Sequence, residues 1–194
     1  EVCKIVTSKQ IITSDQQEAE EFYKASLAAG NEGIMVKKLD GFYKPGSRVG
    51  YGVKVKPVME SLDLVIVGAE WGEGKRSGWL TSFTLACYDP DSGSFLEIGK
   101  VGTGVKEKVE MGVSFEQLTE LLKPLFTSEK GRSVLVKPAL VVEVKVEEIQ
   151  KSPTYSSGYA LRFPRVIRIR EDRSPEECSD AALVEDLYSN QRSR

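Results

Sequence analysis

The chain has 194 residues, 40% of them hydrophobic and 29% charged, the composition of a globular protein with one or two domains. Its net charge of −2 excludes a uniformly basic nucleic-acid binder, so a DNA-facing surface must arise from local clustering of the 27 lysines and arginines. No apolar run reaches the length of a membrane span, no signal-peptide core opens the sequence, and the absence of histidine excludes Ser-His and Cys-His nucleophiles.

Val2 to Ile12 is rich in β-branched residues and predicts a strand. Ser14 with Gln17 forms a possible capping box, and Ala19, Phe22, Tyr23 and Leu27 recur at helical spacing, so a helix is expected over 15–29 with Gly30 beyond its end. Asn31 to Lys37 and Tyr51 to Lys56 read as strands, separated by turn signals at Asp40-Gly41 and Lys44-Pro45-Gly46-Ser47. These pieces are too few to close a sheet, so residues 1–58 read as the C-terminal part of a larger domain. Pro57 to Ser61 is the expected linker.

A second domain is expected over 59–194. Leu62 to Ala69, Gly78 to Asp89 and Phe95 to Val101 predict three strands, the first two joined by the basic, glycine-rich loop 72–78. Ser114 and Gln117 open a helix carrying Leu118, Leu121, Leu122 and Leu125 on one face. Ala139 to Ile149 alternates as a fourth strand, Gly158 to Arg170 makes a fifth, and Ser174-Pro175-Glu176-Glu177 signals a C-terminal helix. Three strands, a helix and two strands is the order of a five-stranded OB-type barrel. The fold class is therefore α+β. Cys3, Cys87 and Cys178 lie far apart without metal-ligand spacing and read as thiols of a reducing compartment.

Side chains two apart on a strand share a face, so Lys54 and Lys56 point the same way. Two such ammonium groups suit a phosphate, or else a solvated strand edge. Glu32 is a possible hard oxygen ligand for Mg²⁺ or an ordinary surface carboxylate. Regular alternation puts Lys37 on the face opposite Glu32. Arg48, after a Pro-Gly turn, either reaches a ligand or caps its loop. On the fifth strand, alternation sends Leu161, Phe163, Ile167 and Ile169 to the core and Arg162, Arg168 and Arg170 outward. With Arg165 and Arg173 they form a guanidinium cluster suited to polyphosphate or a nucleic-acid backbone, or to pairing with Glu171, Asp172 and Glu176. Lys38-Leu39-Asp40-Gly41 has the Lys-x-Asp-Gly form of a nucleotidylated lysine, but it falls in a turn after the Glu32 strand and reads as a decoy.

Glu32-Gly33-Ile34-Met35-Val36-Lys37 resembles motif IV of the ATP-dependent DNA ligases, and Tyr43 through Arg48 to Val53-Lys54-Val55-Lys56 resembles motif V and its approach. Leu161 to Arg173 resembles motif VI. The likeness spans essentially the whole chain and is to the replicative-type enzymes of archaea and eukaryotes. Gly52 stands where motif V usually has tryptophan, and Arg173 where motif VI usually has lysine. The motifs bearing the adenylated lysine lie upstream of motif IV in this family, so the resemblance is to the C-terminal part: the end of the nucleotidyltransferase domain and a whole OB domain.

The resemblance implies nick sealing in duplex DNA through enzyme–AMP and DNA–adenylate intermediates, with ATP and Mg²⁺. Lys54 and Lys56 would neutralise the α-phosphate, Arg48 would contact the nucleotide and Glu32 would hold the metal. Arg170, Asp172 and Arg173 would meet the pyrophosphate. After a hinge rotation, Lys75 and Arg76 would contact DNA. It further implies an intracellular protein, cytoplasmic in an archaeon and nuclear in a eukaryote, with a sliding clamp as a partner of the upstream region. The competing readings are an mRNA-capping or RNA-ligase nucleotidyltransferase, and a non-enzymatic OB module stacking single strands on Trp71, Trp79 or Phe83.

Overall fold

A computed structural model describes residues 7–46, 50–57, 61–107 and 112–192. The chain falls into two compact units that divide after Pro57. In the first, helix α1 spans Gln16–Ala28. Its N-cap is Asp15, not Ser14: the Asp15 carboxylate accepts from the Gln17 and Glu18 amides. Three successive side chains, Thr13, Ser14 and Asp15, could each cap, and the carboxylate also favours the positive end of the helix dipole. Gly30, at φ +80°, supplies the left-handed residue past the C-cap. Residues 7–13 form no strand, and the rest of the strand expected over 2–12 lies outside the described residues.

Strands β1 (Ile34–Lys37) and β2 (Gly52–Val55) pair antiparallel, with Met35 opposite Lys54 and Lys37 opposite Gly52. Gly33 sits at φ +141°, and a Cβ there would lie 2.1 Å from the Val55 carbonyl oxygen. Glycine is therefore what lets the chain enter β1 this close to β2.

The second unit is built on the path β11-β8-β3-β4-β5. Its strands are β3 (Leu62–Trp71), β4 (Leu80–Asp89), β5 (Ser94–Val101), β8 (Val141–Lys145) and β11 (Arg165–Ile169). Register shifts in the β3–β4 and β4–β5 pairings bend the sheet, and the inward residues Leu64, Ile66, Phe83, Leu85, Ile98, Val142 and Val144 are almost wholly buried. Helix α2 (Phe115–Leu122) covers one end; Leu118 and Leu122 are buried and Ser114 caps the Gln117 amide at 3.1 Å.

Two features depart from the expected five strands. A hairpin, β6 (Phe126–Lys130) and β7 (Ser133–Val136), follows α2 and joins the sheet through β7 against β3. The last two expected strands are each broken: β8 gives way to β9 (Glu148–Lys151), and β10 (Tyr159–Arg162) precedes β11. β9 and β10 pair separately, and Leu161 of β10 packs over Gly99 of β5, so the sheet curls toward closure. The break at 163–164 follows from Pro164, which has no amide to donate, and from Phe163, which turns at φ +52°. This is the OB-type barrel with an added hairpin.

Ser174 to Glu177 does not open the C-terminal helix. It closes a capping box around a single 3₁₀ turn, and α3 (Ala181–Arg192) begins later, with the Leu183 amide donating to Asp180 at 2.7 Å. Val184 and Tyr188 anchor α3 on the barrel, and its Gln191 side chain both accepts from and donates to the Ile149 backbone of β9.

Candidate functional site

The first candidate site lies on the β1–β2 hairpin. Glu32, Gly33, Met35, Lys54 and Lys56 line one shallow depression, and the Glu32 carboxylate stands 4.0 Å from the Lys56 ammonium. Glu32 is 88% exposed and Lys56 40%, so both are open to a ligand from solvent. Strict alternation would separate Glu32 from the face of Met35, and the unusual backbone at Gly33 breaks that alternation just before β1 begins. Lys37 shares the face of Met35 and Lys54 through its pairing with Gly52. Arg48 lies outside the described residues. Lys38 forms an exposed ion pair with Asp40 at 3.1 Å in the turn after β1.

The Glu32 carboxylate is one hard oxygen donor, and no group of three potential metal-binding side chains exists among the described residues. It fits Mg²⁺ as a single ligand, since this ion commonly completes its shell with water and phosphate oxygens.

The second candidate lies on the barrel. Arg170 is 12% exposed and commits both guanidinium edges: Nη1 donates to the Asp63 carboxylate at 2.7 and 2.9 Å, while Nε and Nη2 donate to Asp172 at 2.9 and 2.7 Å. The fork from Arg170 holds the Asp172 carboxyl far below the usual carboxylate range. Arg173 lies 3.5 Å from Asp63 and donates to the Glu177 carbonyl at 3.2 Å, yet remains more exposed than Arg170. Asp63 thus gathers both arginines, and its own backbone is fixed by two hydrogen bonds with Ser179. Asp63 belongs to none of the sequence motifs, and its one signal in the sequence is a carboxylate set in a hydrophobic strand between Leu62 and Leu64.

Between Val166 and Arg168 the β11–β8 register shifts. The extra residue, Ile167, is exposed rather than in the core, and it resets the alternation. Arg165 therefore shares the outward face with Arg168 and Arg170, correcting the expected division. Arg168 faces Glu143 across the strands and donates to it at 2.6 Å. The Ser61 hydroxyl, donating at 2.6 Å, and then Arg168 hold the Glu143 carboxyl below its ordinary range.

Phe163, expected in the core, is 64% exposed, and the Arg162 guanidinium lies 5.0 Å from its ring centroid. A bulky residue held at positive φ is a strained feature of the kind that clusters at functional positions. In the 72–78 loop, Arg76 is engaged with Glu107 at 2.5 and 3.0 Å and lies over the Phe115 ring, while Lys75 is exposed beside it. Of the aromatics considered for single-strand stacking, Phe83 is wholly buried and Trp71 and Trp79 pack against the core.

The model of the ATP dependent DNA ligase domain matches residues 2–56, and that of the ATP dependent DNA ligase C terminal region matches residues 76–173. A DNA ligase of Nanoarchaeum equitans is 56% identical over 191 residues, covering 97% of this chain and 34% of that protein. A DNA ligase of Thermococcus onnurineus is 48% identical over 188 residues, covering 97% and 33%. The chain spans about a third of the length of these curated relatives. Among solved structures, the ligase domain of LigD from M. tuberculosis is 30% identical, with a TM-score of 0.51 over 82% of this chain and 50% of that one.

Proposed function

Because the chain belongs to the ATP-dependent DNA ligases, we propose that it is the C-terminal part of an enzyme that seals nicks in duplex DNA, using ATP and Mg²⁺. On this reading residues 1–58 complete a nucleotidyltransferase domain and 59–194 form the OB domain. The observation that carries it is the grouping of Glu32, Lys54 and Lys56 in one open depression. Two ammonium groups beside a carboxylate match a phosphate with its divalent cation, because adenylyl transfer depends on positioning and charge neutralisation more than on covalent help from the protein.

In the proposed reaction a lysine from the upstream region attacks the ATP α-phosphorus and pyrophosphate leaves. AMP passes to the 5′-phosphate of the nick, and the 3′-hydroxyl then displaces it. Lys54 and Lys56 hold the α-phosphate oxygens, and Arg48 orients the nucleotide. Glu32 would hold Mg²⁺ through one carboxylate oxygen, and the bound ion would supply charge neutralisation to the phosphates. On the barrel, Arg173 and Asp172 meet the pyrophosphate, with Arg170 holding Asp172 in place. Lys75, Arg76 and the exposed Phe163 with its Arg162 face the duplex. The protein works inside the cell, and a sliding clamp is a partner of the upstream region.

The test uses the full-length protein with a labelled nicked duplex, ATP and Mg²⁺. Sealing is expected, and Lys54→Ala should lower enzyme–AMP formation by tenfold or more, in line with the loss of one preorganised charge at a transition state, roughly 10²-fold. Sealing of RNA ends in preference to nicked DNA, or transfer of GMP to an RNA 5′ end, would move the chain to the RNA-ligase or capping reading.

A further inference from the structure

We propose that Lys145 and Arg165 form a phosphate clamp on the outward face of the barrel, and that its ligand is the sugar–phosphate backbone of duplex DNA. The two side chains stand directly opposite each other on β8 and β11. Both are exposed, and neither forms an ion pair or hydrogen bond with another side chain among the described residues. Like charges on facing strand positions repel, so the pair weakens the sheet it belongs to unless an anion lies between the two groups.

The contrast along the same two strands is what gives the pair its meaning. At the next rung Arg168 is neutralised by Glu143, and beyond it Arg170 is neutralised by Asp63 and Asp172. Only the rung nearest the β10–β11 turn carries two cations. It is also the rung that the bulge at Ile167 creates: were Ile167 paired in regular register, strict alternation from Arg168 would put Arg165 on the core side of β11. The start of β11 is tied to the turn after β5, where the Val166 amide donates to the Thr103 carbonyl at 2.9 Å. Two residues before Arg165, the exposed Phe163 and its stacked Arg162 continue the cationic, aromatic surface. An ammonium and a guanidinium side by side, next to an exposed aromatic, suit a phosphodiester strand with its sugars and bases alongside.

The clamp rests on the ligase reading but is tested by direct binding, which does not require sealing. The full-length protein is titrated with a nicked duplex over a range of salt concentrations, as wild type and as K145Q/R165Q. Each neutralised phosphate contributes a slope of about 0.9 in log K against log salt, so loss of the one shared phosphate in the double variant should lower the slope by about 0.9, and each single variant should lower it by less. K130Q/K137Q removes the same charge from elsewhere on the barrel and should leave the slope unchanged. K145R/R165K should keep it. An unchanged slope in K145Q/R165Q, or an equal loss in K130Q/K137Q, overturns the clamp. So does a raised KM for ATP in enzyme–AMP formation with DNA binding intact, which would assign the phosphate to the nucleotide. Failure of the wild type to seal nicks would instead remove the ligase reading, while the binding slopes still decide the clamp.

Discussion

Gly33 and Gly52 lie on the same hairpin and make opposite demands on a side chain. A Cβ at Gly33 would overlap the Val55 carbonyl, on a backbone that L-residues rarely adopt. At Gly52 the nearest atom to an added Cβ is 3.7 Å away, ordinary contact with Lys37. Gly33→Ala should therefore destabilise the β1–β2 pairing by more than about 1 kcal/mol, read as faster amide exchange across the hairpin, with Gly52→Ala near neutral. Equal exchange in the two variants would remove the close approach as the reason for glycine. Glu143 sets a second expectation at this scale. Its carboxyl is held below the ordinary value of 4.5, so the stability it contributes is fully present above that value and is lost as pH falls through the lowered one. Glu143→Gln should lower the thermal midpoint at neutral pH and flatten its acid-side decline. An unaltered acid limb would show that the Ser61 and Arg168 contacts contribute nothing.

Thr119 joins two elements through one hydroxyl. It donates to the Phe115 carbonyl within α2 at 2.6 Å and accepts from the Leu80 amide at the start of β4 at 2.9 Å, with the side chain almost fully buried. Thr119→Val keeps the shape and leaves the Leu80 amide without its partner, at a cost of about 1–3 kcal/mol. Denaturant unfolding should show that loss without a change in m-value; a neutral result would mean the amide finds another acceptor. Elements of this kind were readable from the sequence where apolar residues are concentrated. β3 and β4 are legible as nearly continuous apolar runs, with successive residues such as Leu64, Val65 and Ile66 all buried, α2 by its helical periodicity, and β1 and β2 because short β-branched runs sit between turn residues. β6 was not readable: Thr127 to Lys130 is polar, exposed and without alternation, and its strand state is set by pairing with β7. The barrel corner at Phe163-Pro164 and the bulge at Ile167 were hidden for a related reason. Both are imposed by the need to bend strands around a core; Pro164 marks the corner within a run that otherwise reads as one strand, and the bulge leaves no local pattern. They are also what turned Phe163 and Ile167 outward, so the candidate site was legible in residue types but not in the faces that β11 presents.

At the scale of the molecule, the hydrophobic core draws its residues, among those described, from 62–188, whereas Met35, Val36, Val53 and Val55 of the hairpin unit stay exposed. The relatives are about three times as long, and on the proposed reading their remaining part covers this apolar hairpin and brings the nucleophilic lysine to Lys54 and Lys56. This makes Lys38 the informative residue, because it alone has the Lys-x-Asp-Gly form. An amine that attacks phosphorus must be desolvated and held against the phosphate. Lys38 instead stands in solvent, ion-paired to Asp40, in a turn closed by the Gly41 amide on the Lys38 carbonyl at 3.2 Å. The 194-residue chain incubated with ATP and Mg²⁺ should therefore show no covalent AMP by intact mass, while the full-length protein should show one on a different lysine. An adduct on Lys38 would make that turn the nucleophile, reverse the assignment of Glu32 and the two lysines, and leave the depression on the hairpin without a role in the first chemical step.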